Sequence, residues 1–250
     1  MHAVILAAGV GQRLGETAAE RPKSLLQFGG MSLLARHLHI LRHYDVCTIT
    51  VVTGYQADQI EHELSRHGHG LTIDTRHNPD YRRGSVVSLH SAADILTGDN
   101  PILLMDADVL YEHTLMKRLL TSRHENCFLL DRNFETGEEP VKLCVSNGRL
   151  IDFRKRIDKN LQFDFQGESV GFFRFAPAMA GSIAATCSRY LADNRQDEPY
   201  EEVLRDKLLD TPEAFGYEDI TGAAWIEIDF PADVQLAEQH ILPRITLPGT

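Results

Sequence analysis

Short apolar runs alternate with amphipathic stretches over the first half of the chain. His2–Leu6 has the length and composition of a strand, and Met31–His43 places Leu33, Leu34, Leu38 and Leu41 along one side of a helix. A β-branched strand follows over Cys47–Thr53, then a helix over Gln56–His67 and a strand over Leu71–Thr75. Asn78-Pro79-Asp80 interrupts the pattern. Ser85–Leu96 then resumes as a helix, and Pro101–Met105 is a buried strand running into Asp106-Ala107-Asp108. Such alternation predicts an α/β fold, a mostly parallel mixed sheet flanked by helices. Ligands in these sheets bind at the carboxyl ends of the strands, where Ala7–Gly11 and Asp106–Asp108 both fall.

Beyond residue 130 the rhythm changes. Val141–Ser146, Leu150–Arg156 and Ser169–Phe175 read as strands joined by turns such as Asn147-Gly148. Helices over Pro177–Leu191 and Tyr200–Leu209 come next, followed by a strand over Trp225–Ile228 and a last helix over Ala232–His240. No repeat or linker divides the chain, so residues 1–250 are expected to form a single domain, its smaller α+β portion after residue 130 covering the sheet edge.

Charge narrows the function. The formal net charge of −11 over 250 residues excludes the basic surface of a nucleic-acid binder. Basic residues gather instead at Arg13, Arg21, Lys23, Arg82 and Arg83, and again at Arg154-Lys155-Arg156, the pattern of an acidic protein with a phosphate pocket. No apolar run approaches the ~20 residues of a spanning helix, so no membrane partner is expected. With a motif-bearing strand at its start, the chain is expected to carry no removable signal peptide. Cys47, Cys127, Cys144 and Cys187 form no C-x-x-C pair and read as reduced thiols of a cytoplasmic protein. His39 and His43 share a helix face, but no third ligand stands nearby for zinc.

The chemistry begins where the first strand breaks. Leu6-Ala7-Ala8-Gly9-Val10-Gly11-Gln12-Arg13-Leu14 is a turn of tiny residues that lets backbone N–H groups approach a polyphosphate. Arg13 and, further on, Lys23 supply fixed positive charge. A dinucleotide fingerprint is excluded because Leu14 stands where its third glycine belongs, and a P-loop because Lys23-Ser24 follows Pro22. Asp108 closes a buried strand and, taken alone, reads equally as a metal ligand or a helix N-cap. Trp225-Ile226-Glu227-Ile228-Asp229 forms a second, late carboxylate segment.

With its downstream Arg21-Pro22-Lys23-Ser24-Leu25-Leu26, the first motif resembles the nucleotidyltransferase superfamily that makes nucleoside-diphosphate sugars and alcohols. The resemblance implies the Rossmann-like fold of nucleotide-diphospho-sugar transferases, with residues 1–130 binding the nucleotide and 131–250 the acceptor. It implies Mg2+ held by Asp108 and Asp229, with Asp106 either behind them or capping a helix, and Arg13 and Lys23 as the catalytic cations. The nucleotide would lie over Leu6, Ala7, Ala8, Gly9 and Gly11, with Thr53, Gly54, Ser85 and Ser88 around the base. The segment Tyr81-Arg82-Arg83-Gly84-Ser85-Val86-Val87-Ser88-Leu89 replaces the Gly-rich stretch of sugar-1-phosphate transferases. It looks more like small cytidylyltransferases acting on phosphocholine, inositol phosphate or aminoalkylphosphonates.

That likeness implies CTP and a small phosphorylated or phosphonate acceptor as partners, and it allows a homodimer. Trp225, Glu201 and Glu227 are candidates for the acceptor, with Tyr217, Tyr200 and Glu202 beside them, although Trp225 and Tyr217 read equally as core aromatics. Lys142 is either a hold on the acceptor phosphate or a solvated lysine. Arg83 beside Arg82 favours a strongly anionic acceptor such as a phosphonate or polyol phosphate. A sugar-1-phosphate uridylyl- or guanylyltransferase is the nearest alternative, and a non-catalytic nucleotide sensor is the alternative of another class.

Overall fold

His2–Ala7 (β1) is apolar on both faces because helices cover both: Ala3 and Ile5 pack into one core cluster, Val4 and Leu6 against the other. The computed structural model of the chain describes residues 1–15, 21–134, 137 and 139–249. Gln27–Phe28 (β2) and Met31–Ser32 (β3) make a small hairpin, and Leu33–His43 (α1) follows directly. The helix predicted from Met31 thus starts two residues later. The Ser32 hydroxyl caps it by accepting from the Ala35 N–H at 3.0 Å, and it donates to Glu63 Oε1 at 2.5 Å.

Thr48–Thr53 (β4), Ala57–His67 (α2) and Thr72–His77 (β5) continue the predicted alternation. The single helix expected over Ser85–Leu96 is broken into Ser85–His90 (α3) and Ala93–Leu96 (α4). At the break the Ser91 hydroxyl donates to the Val87 carbonyl at 2.9 Å, a bond of the kind that bends helices. Ile102–Asp106 (β6) is the buried strand, followed by Val109–Tyr111 (β7), Thr114–Thr121 (α5) and Asn126–Asp131 (β8).

Lys142–Ser146 (β9) and Arg149–Arg154 (β10) form a hairpin over Asn147-Gly148, and Phe165–Phe175 (β11) starts earlier than its apolar stretch. Pro177–Ala192 (α6), Tyr200–Asp210 (α7), Phe215–Asp219 (β12), Trp225–Glu227 (β13) and Pro231–Leu236 (α8) complete the chain. The last predicted helix becomes one α-turn, a π-turn over Ala237–Ile241 and a 3-10 turn over Leu242–Arg244.

The main sheet runs β10-β9-β11-β6-β1-β4-β5, with β8 on the far side of β11 and β12 beyond it. β6, β1, β4 and β5 are parallel; β11 is antiparallel to β6, β8 and β9. β1, β4, β5 and β6 form the parallel core, β9, β10 and β11 add an antiparallel edge, and β12 runs parallel to β8. One cluster packs α3, α4, α6 and α7 on the sheet and another packs α1, α2 and α5 on its opposite face. A third, built on Leu14, Phe28, Leu110 and Ile228, anchors the phosphate loop to β7 and the chain's last turns. The register of β1 sets Leu6 between Val52 and Asp106, so three parallel strands end together where the chemistry is expected.

Candidate active site

At the end of β1 the chain turns through Ala8–Gly11 into a 3-10 turn, Gln12–Leu14. Gly11 has φ +66°, a left-handed backbone that favours glycine. A Cβ at Gly9 would meet no atom within 4 Å, so this rim of the loop is open to an approaching group. Leu14 is buried in the third cluster, which pins the turn while Arg13 stays at the surface. In the second motif Leu25 and Leu26 are buried beneath the 3-10 turn Lys23–Leu25, which aims Lys23 at the strand ends.

Lys23 Nζ donates to Asp108 Oδ2 at 3.1 Å and also to Asp229 Oδ1. Arg13 Nη1 donates to Asp229 Oδ2 at 3.1 Å and pairs with Glu139 Oε2 at 2.8 Å. Glu139 also faces Lys155 Nζ at 3.4 Å. Two cations and two aspartates drawn from remote parts of the chain therefore form one cluster.

A short antiparallel pairing of β7 with β13 brings the late carboxylates to Asp108. Glu227 sits opposite Val109, and the Ile228 N–H donates to the Asp108 carbonyl at 3.0 Å. Asp233 then accepts from the N–H groups of Asp229 (2.8 Å) and Phe230 (2.6 Å), fixing the chain as it enters α8. Carboxylate oxygens of Asp108, Glu227 and Asp229 lie within 4.8 Å of one another. Three hard oxygen donors with room for substrate phosphates fit magnesium, so this donor set is compatible with the expected ion.

The electrostatics follow from crowding. Against the cost of burial, Asp108 and Asp229 hold the Lys23 ammonium firmly protonated. Burial works against Asp229 too, but Lys23 and Arg13 keep its carboxyl below the usual range. Glu227 keeps contact with water, yet the protein packed around it and the charges of Asp108 and Asp229 push its pKa well up. Asp106 is raised by burial, then by Asp108 and Glu201; its Oδ2 accepts from the Tyr200 hydroxyl at 2.6 Å.

The other expected residues are distributed as follows. A cavity of about 360 Å3 is lined by Gly9, Gly11, Arg13, Lys23, Asp108 and Asp229, and also by Tyr81, Arg82 and Arg83. Leu6, Ala7 and Ala8 form the strand end beneath it. Gly54 packs under Tyr81, where a Cβ would come within 2.5 Å of the tyrosine Cβ. Thr53 is buried with an unpartnered hydroxyl. Ser88 accepts from Asn78 Nδ2 at 3.0 Å, whereas Ser85 accepts from the Tyr200 N–H at 2.9 Å.

Two of the residues expected at the acceptor have protein partners. Arg83 belongs to the phosphate-loop cavity and is paired with Asp197 through Nε at 2.6 Å and Nη2 at 3.0 Å. Lys142 is buried, its ammonium donating to the carbonyls of Pro140 (3.0 Å) and Lys155 (2.7 Å), and it lines none of the cavities around the cluster. Burying an ammonium requires that its donors be filled, and backbone carbonyls supply that here.

Trp225 and Glu227 do line a second cavity, of about 450 Å3, together with Asp131, Phe134, Glu168 and Phe230. Trp225 Nε1 donates to Asp131 Oδ2 at 2.8 Å. A third cavity, of about 320 Å3, gathers Arg13, Arg154, Lys155, Arg156, Glu201 and Glu202. Tyr81, Lys155, Asp131 and Glu168 thus line these cavities, although the sequence reading did not assign them to the site. For Lys155 the signal was the triple Arg154-Lys155-Arg156 at the end of a strand.

Residues 3–162 match the model of the MobA-like NTP transferase domain. A CMP-5'-(3-aminopropyl)phosphonate synthase of Streptomyces rubellomurinus is 27% identical over 97% of this chain and 39% of its own length. A bifunctional IPC transferase and DIPP synthase of Rubrobacter xylanophilus is 27% identical over 96% of this chain and 52% of its own. The chain thus spans about half or less of the length of these two relatives. A choline-phosphate cytidylyltransferase of Haemophilus influenzae is 32% identical over 60% of this chain and 61% of its own. Among solved structures, the inositol-1-phosphate CTP transferase of T. maritima shares the fold with a TM-score of 0.72 at 22% identity, covering 93% of this chain and 90% of that one. The open loop after β1, the paired cations and the converging carboxylates all stand on this shared frame, and the chain belongs to the MobA-like NTP transferase domain family.

Proposed function

We propose that this protein transfers the cytidylyl group of CTP to a phosphate or phosphonate oxygen of a small acceptor, releasing pyrophosphate. The observation that carries the reading is Lys23 held between Asp108 and Asp229 beside the open phosphate loop. Relatives named for aminopropylphosphonate, choline phosphate and phosphoglutamine support cytidine over the other bases.

The triphosphate lies along Ala8–Gly11, whose backbone N–H groups meet its oxygens. Arg13 leaves Glu139 for the departing pyrophosphate, and Lys23 turns from its carboxylates to the α-phosphate, where charge accumulates as the acceptor oxygen attacks in line. The acceptor oxygen is already ionised, so no general base is required. Asp108, Asp229 and Glu227 would hold magnesium, which when bound neutralises phosphate charge. Lys155, at the wall of the third cavity, is placed to receive the acceptor's anionic end.

Pyrophosphate release with each of the four nucleoside triphosphates and magnesium tests this. The acceptors are phosphocholine, 2-aminoethylphosphonate, inositol-1-phosphate and hexose-1-phosphates. CTP with a non-sugar acceptor is the expected pair; UTP or GTP with a hexose phosphate would overturn the assignment.

A further inference from the structure

Asp106 lies two residues before Asp108, yet its carboxyl does not join the Asp108–Glu227–Asp229 oxygen group. It is not far away. Asp106 and Glu227 line one narrow recess of about 40 Å3, so orientation rather than distance along the chain keeps this carboxyl apart from the other three.

The orientation is imposed by two remote residues. Gly171 has φ +78°, and a Cβ there would collide with Asp106 Oδ2, so the carboxyl occupies space that only glycine leaves free. Gly171 stands where β11 changes partners, from β9 at Glu168 to β6 at Phe172, and where its register against β8 shifts between Ser169 and Phe173. A glycine inside a strand weakens it and marks a place where another group approaches closely. The same Oδ2 accepts from the Tyr200 hydroxyl at 2.6 Å.

Tyr200 is held rigidly in its turn. It is buried, with its ring edge-on to Phe173, and its N–H donates to Ser85 Oγ at 2.9 Å. The residues before it are bound to the same segment: Gly84 N–H donates to the Gln196 carbonyl at 2.9 Å and Val86 N–H to that of Glu198 at 3.2 Å. Gly84 has no room for a Cβ against Asp197 and Glu198. The hydroxyl therefore stays in place and draws the Asp106 carboxyl towards Gly171.

We propose that Tyr200 is a positioning residue: its hydroxyl, with the space over Gly171, keeps Asp106 off the metal and leaves that side of the ion to substrate phosphate. This rests on the reading of Asp108, Glu227 and Asp229 as the magnesium carboxylates, and it holds for whichever nucleotide is bound. Magnesium is held through a few carboxylates together with phosphate oxygens, so a further carboxylate competes with the substrate for the ion. Without the hydroxyl, Asp106 is free to turn towards the ion, which is then bound more tightly and used less well. A tyrosine that only filled the core would change stability and would not tighten metal binding.

Tyr200→Phe keeps the ring and the bond to Ser85 and removes only the hydroxyl. Mn2+ is titrated by electron paramagnetic resonance in the presence of inorganic pyrophosphate, with thermal unfolding recorded to show that each variant folds. In Tyr200→Phe the Mn2+ dissociation constant should fall about tenfold, and pyrophosphate release from CTP at saturating metal should slow about tenfold. Asp106→Asn still accepts from Tyr200 and should bind Mn2+ like the parent, and in the double variant the tightening should vanish. Unchanged or weaker Mn2+ binding by Tyr200→Phe, or tightening that survives in the double variant, overturns the inference. So does a parent that binds no Mn2+. If Tyr200→Phe does not fold, Asp106→Asn decides: parent-like Mn2+ affinity upholds the exclusion of Asp106, and a loss of about tenfold makes it a ligand and overturns the inference. Absence of pyrophosphate release with every nucleoside triphosphate overturns cytidylyl transfer alone, because Mn2+ binding is read without a nucleotide.

Discussion

Replacing Lys23 by methionine keeps the length of the side chain and deletes its charge. In the folded protein that ammonium stands 3.1 Å from Asp108, a separation worth about 5 kcal/mol for unit charges at an effective dielectric of about 20. Part of this offsets the cost of burying Lys23 and the carboxylates together, so it is not the catalytic contribution. The catalytic share is what the ammonium gives the α-phosphate as charge accumulates there. Loss of one such preorganised donor costs about 10² to 10³ in kcat, or roughly 2.7 to 4 kcal/mol.

The assay is steady-state pyrophosphate release at saturating CTP and metal, so that weaker binding of either is not mistaken for slower chemistry. A second readout checks the electrostatics independently. Without Lys23, Asp108 loses the cation the structure gives it, and the variant should unfold more readily on its own. Magnesium binding then relieves the repulsion, so saturating metal should raise the melting temperature of the variant more than that of the parent. Less than a tenfold fall in kcat, with the metal effect on melting intact, would show that Lys23 is a structural counter-ion. The transferred phosphate would then owe it nothing.

Further outcomes follow from neighbouring groups. Asp108→Asn and Asp229→Asn should each abolish measurable turnover, while Glu227→Gln should raise the magnesium concentration needed for half-maximal rate about tenfold or more, read in a metal titration. His37 is fully buried, its pKa lowered to about 4 by burial. It takes no proton in the folded state until well below its unfolded value, so it contributes roughly 3 kcal/mol above pH 6.5 that is lost as pH falls toward 4. His37→Gln should flatten that part of the stability–pH curve. Glu168 works in the opposite sense. Burial and the Asp131 charge push its pKa up to about 7, so stability is lost as pH rises from about 4.5 through 7. Screening by water leaves about 1 to 2 kcal/mol, and Glu168→Gln should melt about 4 °C higher than the parent at pH 8 and alike at pH 5.

The parts of the site legible in sequence are those whose geometry is local. The break after β1, Arg13, Lys23 and Asp108 each sit within a few residues of the strand or turn that positions them. Asp229 is legible from its own segment, but its meeting with Asp108 depends on Val109–Tyr111, three apolar residues to which the sequence reading assigns no element. A three-residue strand carries too little periodicity to be seen, and only its distant partner β13 stabilises it. Glu168 was invisible for a related reason. It precedes the apolar stretch Ser169–Phe175, and the first four residues of β11 pair with β9 without adding hydrophobic signal. Lys142 misled because a lysine at a strand start is ordinarily solvated, and only tertiary structure shows carbonyls closing over it.

These misses share a cause that bears on specificity. Residues 1–130 follow one continuous βαβ pattern, with short motifs at the strand ends. The cavities beside Glu227 are assembled from edges: the tip of β8 supplies Asp131, the start of β11 Glu168, the first turn of α7 Glu201, and β13 Trp225. Asp131, Glu168 and Glu201 stand outside the two large hydrophobic clusters, whereas Trp225 packs against one of them. Substitution there changes what is held next to Lys23 and the carboxylates without disturbing the phosphate loop. A charge reversal at Glu168 is therefore expected to alter acceptor choice at nearly constant affinity for CTP. Glu168→Lys with unchanged nucleotide binding but changed acceptor selectivity would show that the two are energetically separable. A parallel loss of CTP affinity would show that they are not.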